Sequence, residues 1–288
     1  MRIAVNGVEL FFDVYGSGLG PKGNELVDKP VMVALHGGPG IDHSQFVPWL
    51  TPIADAAQLI LVDHRGNGRS SRPPVETRTL ANMANDLEAL RMALGLGRIV
   101  VFGMSFGGML ALTYAATYPD SVAGLIPCAT AASNDALKRA LSGMHDMSSA
   151  EQREALARLR HGTVESAEDL DRVFGALARF YEYDPKRTPA GGFKPIADID
   201  MLNWFFARER QTYDVRAQLA KITAPTLVLT GRHDKIAPPF ASDEIVKGIP
   251  HAQQEVFEQS GHRLMREENA KFLRTVRDFV ERLKVTPL

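Results

Sequence analysis

The stretch Ile99-Val100-Val101-Phe102-Gly103-Met104-Ser105-Phe106-Gly107-Gly108 decides the fold. Its first four residues form a continuous apolar run, as a strand buried on both faces does. From residue 106 to 118 the chain is again largely apolar, now over helical length. Small residues on either side of Ser105 let strand and helix approach closely, so a sharp turn would project the hydroxyl away from the backbone. The helix N-terminus beneath it favours developing negative charge. A serine in this strand-turn-helix context reads as a nucleophile.

Working outward, apolar runs bounded by turn residues recur at 31–35, 59–62, 122–126, 226–229 and 253–257. Between 80 and 94, Leu80, Met83, Leu87, Leu90 and Leu94 follow helical spacing, and a closing helix spans about 267–283. Strand and helix alternate, which predicts an α/β fold with a mostly parallel, doubly wound sheet whose ligand crevice lies at the carboxyl ends of the strands. Asn6-Gly7 between the runs 3–5 and 8–14 predicts an opening antiparallel hairpin, followed by a Gly/Pro/Lys-rich stretch over 16–29. The alternation breaks between 129 and 219, where Ala/Arg/Glu/Leu-rich helical segments run without a clear strand. The expected organisation is a core of 1–128 and 220–288 carrying a helical cap of 129–219. Two prolines and two glycines make 184–192 a loop inside that cap.

A serine hydroxyl needs a base, and position along the sheet selects among the 8 histidines. His251 precedes the strand 253–257 and would sit at the wrong end. His262 follows that strand and is the expected base. His36, His64 and His233 also follow strands, but each belongs to a motif with another local reading. Asp234, just past the strand 226–229, is the expected orienting acid. Asp63 is its rival, although in His64-Arg65-Gly66-Asn67-Gly68 a buried Asp would more naturally accept backbone amides. In His36-Gly37-Gly38-Pro39-Gly40 after the strand 31–35, glycines would let a main-chain amide reach the reacting carbonyl. The amides of Gly38 and Phe106 are the expected oxyanion donors.

Composition removes other classes. Over 288 residues, Lys+Arg 33 against Asp+Glu 34 leaves a net charge of -1, with no field to hold a nucleic acid. The single cysteine, Cys128, cannot form an internal disulfide and reads as a small buried hydrophobe. No apolar stretch has signal-peptide or membrane-spanning length, so a cytoplasmic protein off the membrane is expected. Gly16-Ser17-Gly18-Leu19-Gly20 neither follows a buried strand nor opens a helix, which argues against a nucleotide site. His36, His43, Asp63 and His64 match no metal-ligand spacing, and no metal or other cofactor is expected. The sequence leaves the oligomeric state open.

With these motifs in place, the chain resembles the α/β-hydrolase superfamily over nearly its whole length. Within it, the chain looks like the proline iminopeptidase branch, through residues 36–40, 63–70, 103–108, 231–234 and 260–262. The resemblance implies a helical cap over the site and hydrolysis of small amides bearing a free amine, through an acyl-enzyme. Gly37, Met104, Trp204 and Glu209 are the candidate substrate contacts. The chain departs from the branch in having Met104 and Phe106 beside the serine and Lys235 where a glutamate often binds the amine. Trp204, Glu209 and Glu182 are the nearest substitutes, with ordinary cap packing or a solvated face as their alternative. The same constellation also serves a carboxylesterase or a lactonase, for example on acyl-homoserine lactones, and a receptor that keeps the fold without catalysis is a third reading.

Overall fold

The computed structural model describes residues 1–186 and 195–283. The expected hairpin is β1 (Arg2–Val5) and β2 (Val8–Tyr15), turning at Asn6 and Gly7, both with positive φ. A second hairpin, β3 (Leu19–Lys22) and β4 (Glu25–Asp28), lies in the Gly/Pro/Lys-rich stretch to which the sequence reading assigned no strand. Then come β5 (Val31–Leu35), β6 (Gln58–Asp63), α1 (Leu80–Ala93), β7 (Ile99–Met104), α2 (Phe106–Thr117) and β8 (Val122–Cys128). Between β8 and the next strand lie α3 (Asn134–Asp146), α4 (Ala150–His161), α5 (Ala167–Tyr181) and α6 (Ile199–Ala207). The chain continues as β9 (Leu227–Gly231), α7 (Pro239–Gly248), β10 (Gln253–Phe257), α8 (Leu264–Glu267) and α9 (Asn269–Arg282). The sequence reading missed α7. Residues 187–192 of the expected loop and the last residues of the expected core, 284–288, fall outside the described residues.

Among the described residues, eight strands form one sheet in the order β1-β2-β6-β5-β7-β8-β9-β10. From β6 to β10 every pairing is parallel, while β1 and β2 are antiparallel. The fold is that of an α/β hydrolase. After β5 the chain moves to one side as β6 and returns on the other as β7, so the loops leaving β5 and β7 diverge and open a crevice.

The period of two along a strand sorts the side chains. Val31, Val33 and Leu35 of β5 join Val101 and the inner faces of α1 and α2, whereas Met32 and Ala34 join Phe102 and the α9 residues Phe272 and Val276. Covering both faces makes the central strands apolar throughout. The helices between β8 and β9 gather a separate cluster that includes Met144, Leu156, Leu159, Leu177, Phe180 and Leu202. Their starts are capped by Ser133, Ser149, Ser166 and Asp198, each accepting a backbone amide and each worth about 1 kcal/mol. Asp198 also ties α6 to the core. Its carboxylate meets Arg72 Nε at 2.6 Å and Arg78 Nη1 at 3.1 Å, and its amide donates to the Gly40 carbonyl at 2.8 Å. Phe205 of α6 then packs edge-on against Phe106, 4.8 Å between ring centres. No helix among the described residues is long and apolar enough to cross a membrane.

Candidate active site

Ser105 stands between β7 and α2 with φ 55° and ψ -117°, a conformation that costs an L-residue on the order of 1–3 kcal/mol. Close packing holds it. A Cβ on Gly107 would collide with the Leu35 carbonyl, and one on Gly103 with the Gly107 carbonyl, so only glycine allows β5, β7 and α2 to converge here. The Ser105 amide donates to the Cys128 carbonyl at 2.9 Å, and Thr130 Oγ1 donates to the Ser105 carbonyl at 2.7 Å. The β5 loop lies alongside: a Cβ built on Gly37 would sit 3.5 Å from the Ser105 Cβ. Phe106 is the first residue of α2, where an amide has no carbonyl partner within the helix.

Asp234 follows β9 and is buried. Its Oδ1 accepts the amides of Ile236 at 2.8 Å and Ala237 at 2.9 Å, which fixes the carboxylate plane. Its Oδ2 accepts His262 Nδ1–H at 2.8 Å. His262 follows β10 and is also buried. The Tyr181 carbonyl accepts its amide at 2.8 Å, and the Tyr181 ring stands edge-on to the imidazole, 5.5 Å between centres. Burial, with the nearby Asp234 charge, pushes the Tyr181 phenol up to about 12, although Arg263 pulls the other way. Glu267 and Glu268 brace the loop by accepting the Gly261 amide at 2.8 Å and the Ser260 hydroxyl at 2.6 Å.

Asp63 sits elsewhere on the rim. Its Oδ1 accepts the His43 amide at 2.9 Å with His43 Nδ1 2.6 Å away, and its Oδ2 accepts the Arg69 amide at 2.9 Å. Burial alone would raise this carboxyl, but His43, the His36 charge and the Arg69 amide together hold it well below the usual carboxylate range. His36 and His64 stack at 4.1 Å, and burial pushes both imidazoles down. Among the described residues no group of three His, Cys, Asp or Glu side chains is placed to hold a metal ion. Cys128 is fully buried at the end of β8, and that burial raises its thiol.

Two cavities meet at Ser105. The outer one, of about 310 Å³, is lined by Gly37, Gly38, Met104, Ser105 and His262, with Asp171 and Arg263 at its walls. The inner one, of about 90 Å³, runs under α3 to α6 past Phe106, Met144, Leu156 and Phe206. The structure therefore gathers Ser105, His262, Gly37, Gly38 and Met104 around the outer cavity, with Asp234 behind His262, and places Phe106 in the inner cavity that meets it at Ser105. It does not bring Trp204 or Glu209 there: neither lines either cavity. Phe205 and Phe206, one and two positions further along, do so instead. Glu209 accepts the first amide of α1, from Leu80, at 2.9 Å, so that carboxylate is committed to a helix end. Glu182 pairs with Arg263. Lys235 is exposed.

Sequence reasoning missed Tyr181, Thr130, Arg160 and Arg210. Tyr181 and Thr130 act through packing and backbone carbonyls, which leave no motif. Arg210 lies in Arg208-Glu209-Arg210-Gln211, a stretch that reads as a solvated face although Arg210 is buried.

The sheet order, the strained serine between β7 and α2 and the crevice above them define a class. The chain belongs to the α/β-hydrolase fold family, which residues 30–268 match. Within that family it is similar to proline iminopeptidases. It is 26% identical over 298 residues to proline iminopeptidase PfmaB of Pestalotiopsis fici, covering 97% of this chain and 99% of that protein. It is 28% identical over 297 residues to a proline iminopeptidase of Saccharolobus solfataricus, covering 88% of this chain and 85% of that one. In structure it resembles an alpha/beta fold family hydrolase from Bacillus anthracis, with a TM-score of 0.79 at 24% identity over 96% of this chain and 98% of the other.

Proposed function

We propose that the chain is a serine hydrolase in which Ser105 is the nucleophile, His262 its base and Asp234 the group that orients the base. On this reading His262 takes the Ser105 proton as the hydroxyl attacks an acyl carbonyl, and the Gly38 and Phe106 amides hold the oxyanion. The proton passes to the leaving group, and water then releases the acyl group through the same imidazole. Asp234 stays ionised. Residues 129–219 form the cap over a core of 1–128 and 220–288. The observation that carries this reading is the 2.8 Å bond from His262 Nδ1 to Asp234, on an imidazole that shares a cavity with Ser105.

For the bond cleaved, likeness to proteins named proline iminopeptidase supports a small amide or aminoacyl substrate. Asp171 is the carboxylate nearest in kind to an amine-binding group, and it reaches only the outer cavity. A second reading, an ester or lactone, is favoured by the inner cavity, whose lining holds no Asp or Glu among the described residues.

A serine-directed fluorophosphonate should label the wild-type protein, and Ser105→Ala should lose both labelling and turnover. The loss in turnover should be roughly 10⁶-fold. Activity retained in Ser105→Ala would refute the nucleophile. Rates with proline naphthylamide, nitrophenyl esters and lactones, measured side by side, separate the substrate readings.

A further inference from the structure

Three arginines are buried among the described residues: Arg65, Arg78 and Arg210. The first two are matched, Arg65 by both oxygens of Asp86 and Arg78 by Asp198 at 3.1 Å. Arg210 is 6% exposed, and its Nε has no hydrogen-bond partner among the described residues. Its neighbours are the Phe206 ring, 4.9 Å from the guanidinium carbon to the ring centre, and the like charge of Arg160. Burial first, then Arg160, pulls it down to about 10, which leaves it protonated at neutral pH. Residues 187–194 and 284–288 contain no Asp or Glu.

A buried cation without an anion is costly unless something else supplies the charge. The position of this one says what could. Arg210 and Arg160 line the inner cavity that reaches Ser105, and both also line a cleft of about 540 Å³ on the cap. That cleft carries Lys138, Arg153 and His161 and no acidic side chain among the described residues. By contrast Arg158, two residues before Arg160 on helix α4, is neutralised by Asp169 at 2.5 Å. Between Ser105 and Arg210 the inner cavity is walled mainly by apolar side chains, Met144, Leu156 and Phe206 among them.

We propose that Arg210, supported by Arg160, is a specificity-determining subsite for a carboxylate at the end of the substrate remote from the scissile bond, with an apolar spacer filling the inner cavity. This rests on the serine-hydrolase reading and names its substrate class. The planar guanidinium fork matches a carboxylate, and one buried positive charge balances one negative charge.

The test compares the nitrophenyl monoester of glutarate with nitrophenyl pentanoate, which differ at the far end by carboxylate against methyl. Wild-type kcat/KM should favour the glutarate ester by about tenfold or more. In Arg210→Gln that ratio should fall to about one or below, Arg210→Lys should retain part of it, and Arg160→Gln should lower it less. A wild-type ratio at or below one, or a ratio that survives in folded Arg210→Gln, overturns the proposal. Protection from fluorophosphonate labelling gives the same readout without turnover and without a variant: glutarate should protect and pentanamide should not. Better protection by butyl phosphate than by glutarate would overturn the carboxylate assignment. Protein that cleaves neither ester and takes no label overturns the serine-hydrolase reading itself, whereas labelled protein that ignores glutarate overturns this subsite alone.

Discussion

Two buried carboxylate-imidazole pairs stand on the same rim of the sheet, and they differ in what surrounds the ring. Asp63, at the end of β6, lies 2.6 Å from His43 Nδ1, and the other ring nitrogen of His43 lies 3.2 Å from Asp13. Both nitrogens therefore face carboxylates, and Asp63 is further held by the Arg69 amide and guanidinium. Asp234, beyond β9, takes His262 Nδ1 at a similar 2.8 Å, but that imidazole lines the cavity it shares with Ser105. An Asp-His pair on its own is a structural device. It acquires a chemical use where the second nitrogen is left to a reacting group.

The contrast can be broken at several strengths. Asp234→Asn should lower turnover on the order of 10⁴-fold through the wrong imidazole tautomer. A near-normal rate, with the collapse found instead in Asp63→Asn, would exchange the roles of the two acids. Asp63→Asn should instead cost stability, roughly 3–5 kcal/mol in denaturant unfolding, because it strips the partner from a buried pair. It should leave turnover by the folded protein within a few-fold.

The same variant should change the acid limb of the stability curve. Folding holds Asp63 below its ordinary carboxylate value, so its ionisation contributes stability that is fully present above that ordinary value and is lost as pH falls toward the folded one. Unfolding followed from pH 7 down to about pH 3 should therefore decline less steeply in Asp63→Asn than in the wild type. Smallest of all, Asp13→Asn should cost about 1 kcal/mol or less, since that carboxylate is 41% exposed and solvent screens its pairing with His43. A much larger loss would make Asp13 part of the buried pair rather than its solvated edge.

Much of this arrangement was legible along the chain. Strand runs such as Val31–Leu35 are apolar at every position because both faces of the central sheet are covered, and that signal survives in one dimension. The turn around Ser105 was legible because close backbone approach demands glycine at Gly103 and Gly107. The hairpin at residues 19–28 and helix α7 were harder to see, since short or weakly periodic segments look like loops. Trp204 and Glu209 were reasonable guesses by residue type, but a helix presents neighbouring residues on different faces, so Phe205 and Phe206 line the cavity and Trp204 does not.

By itself the sequence determined the alternation of strands and helices, the sharp turn at Ser105 and the order of serine, acid and histidine along the chain, because each depends on local spacing or on a residue the backbone requires. Tertiary structure alone decided that Asp63 meets His43, that Glu209 closes a helix end rather than reaching the cavity, and that Arg210 is enclosed with no carboxylate paired to it among the described residues. Those outcomes depend on which faces of distant elements meet across the fold, and the identity of a charged residue does not reveal whether water or another side chain will surround it.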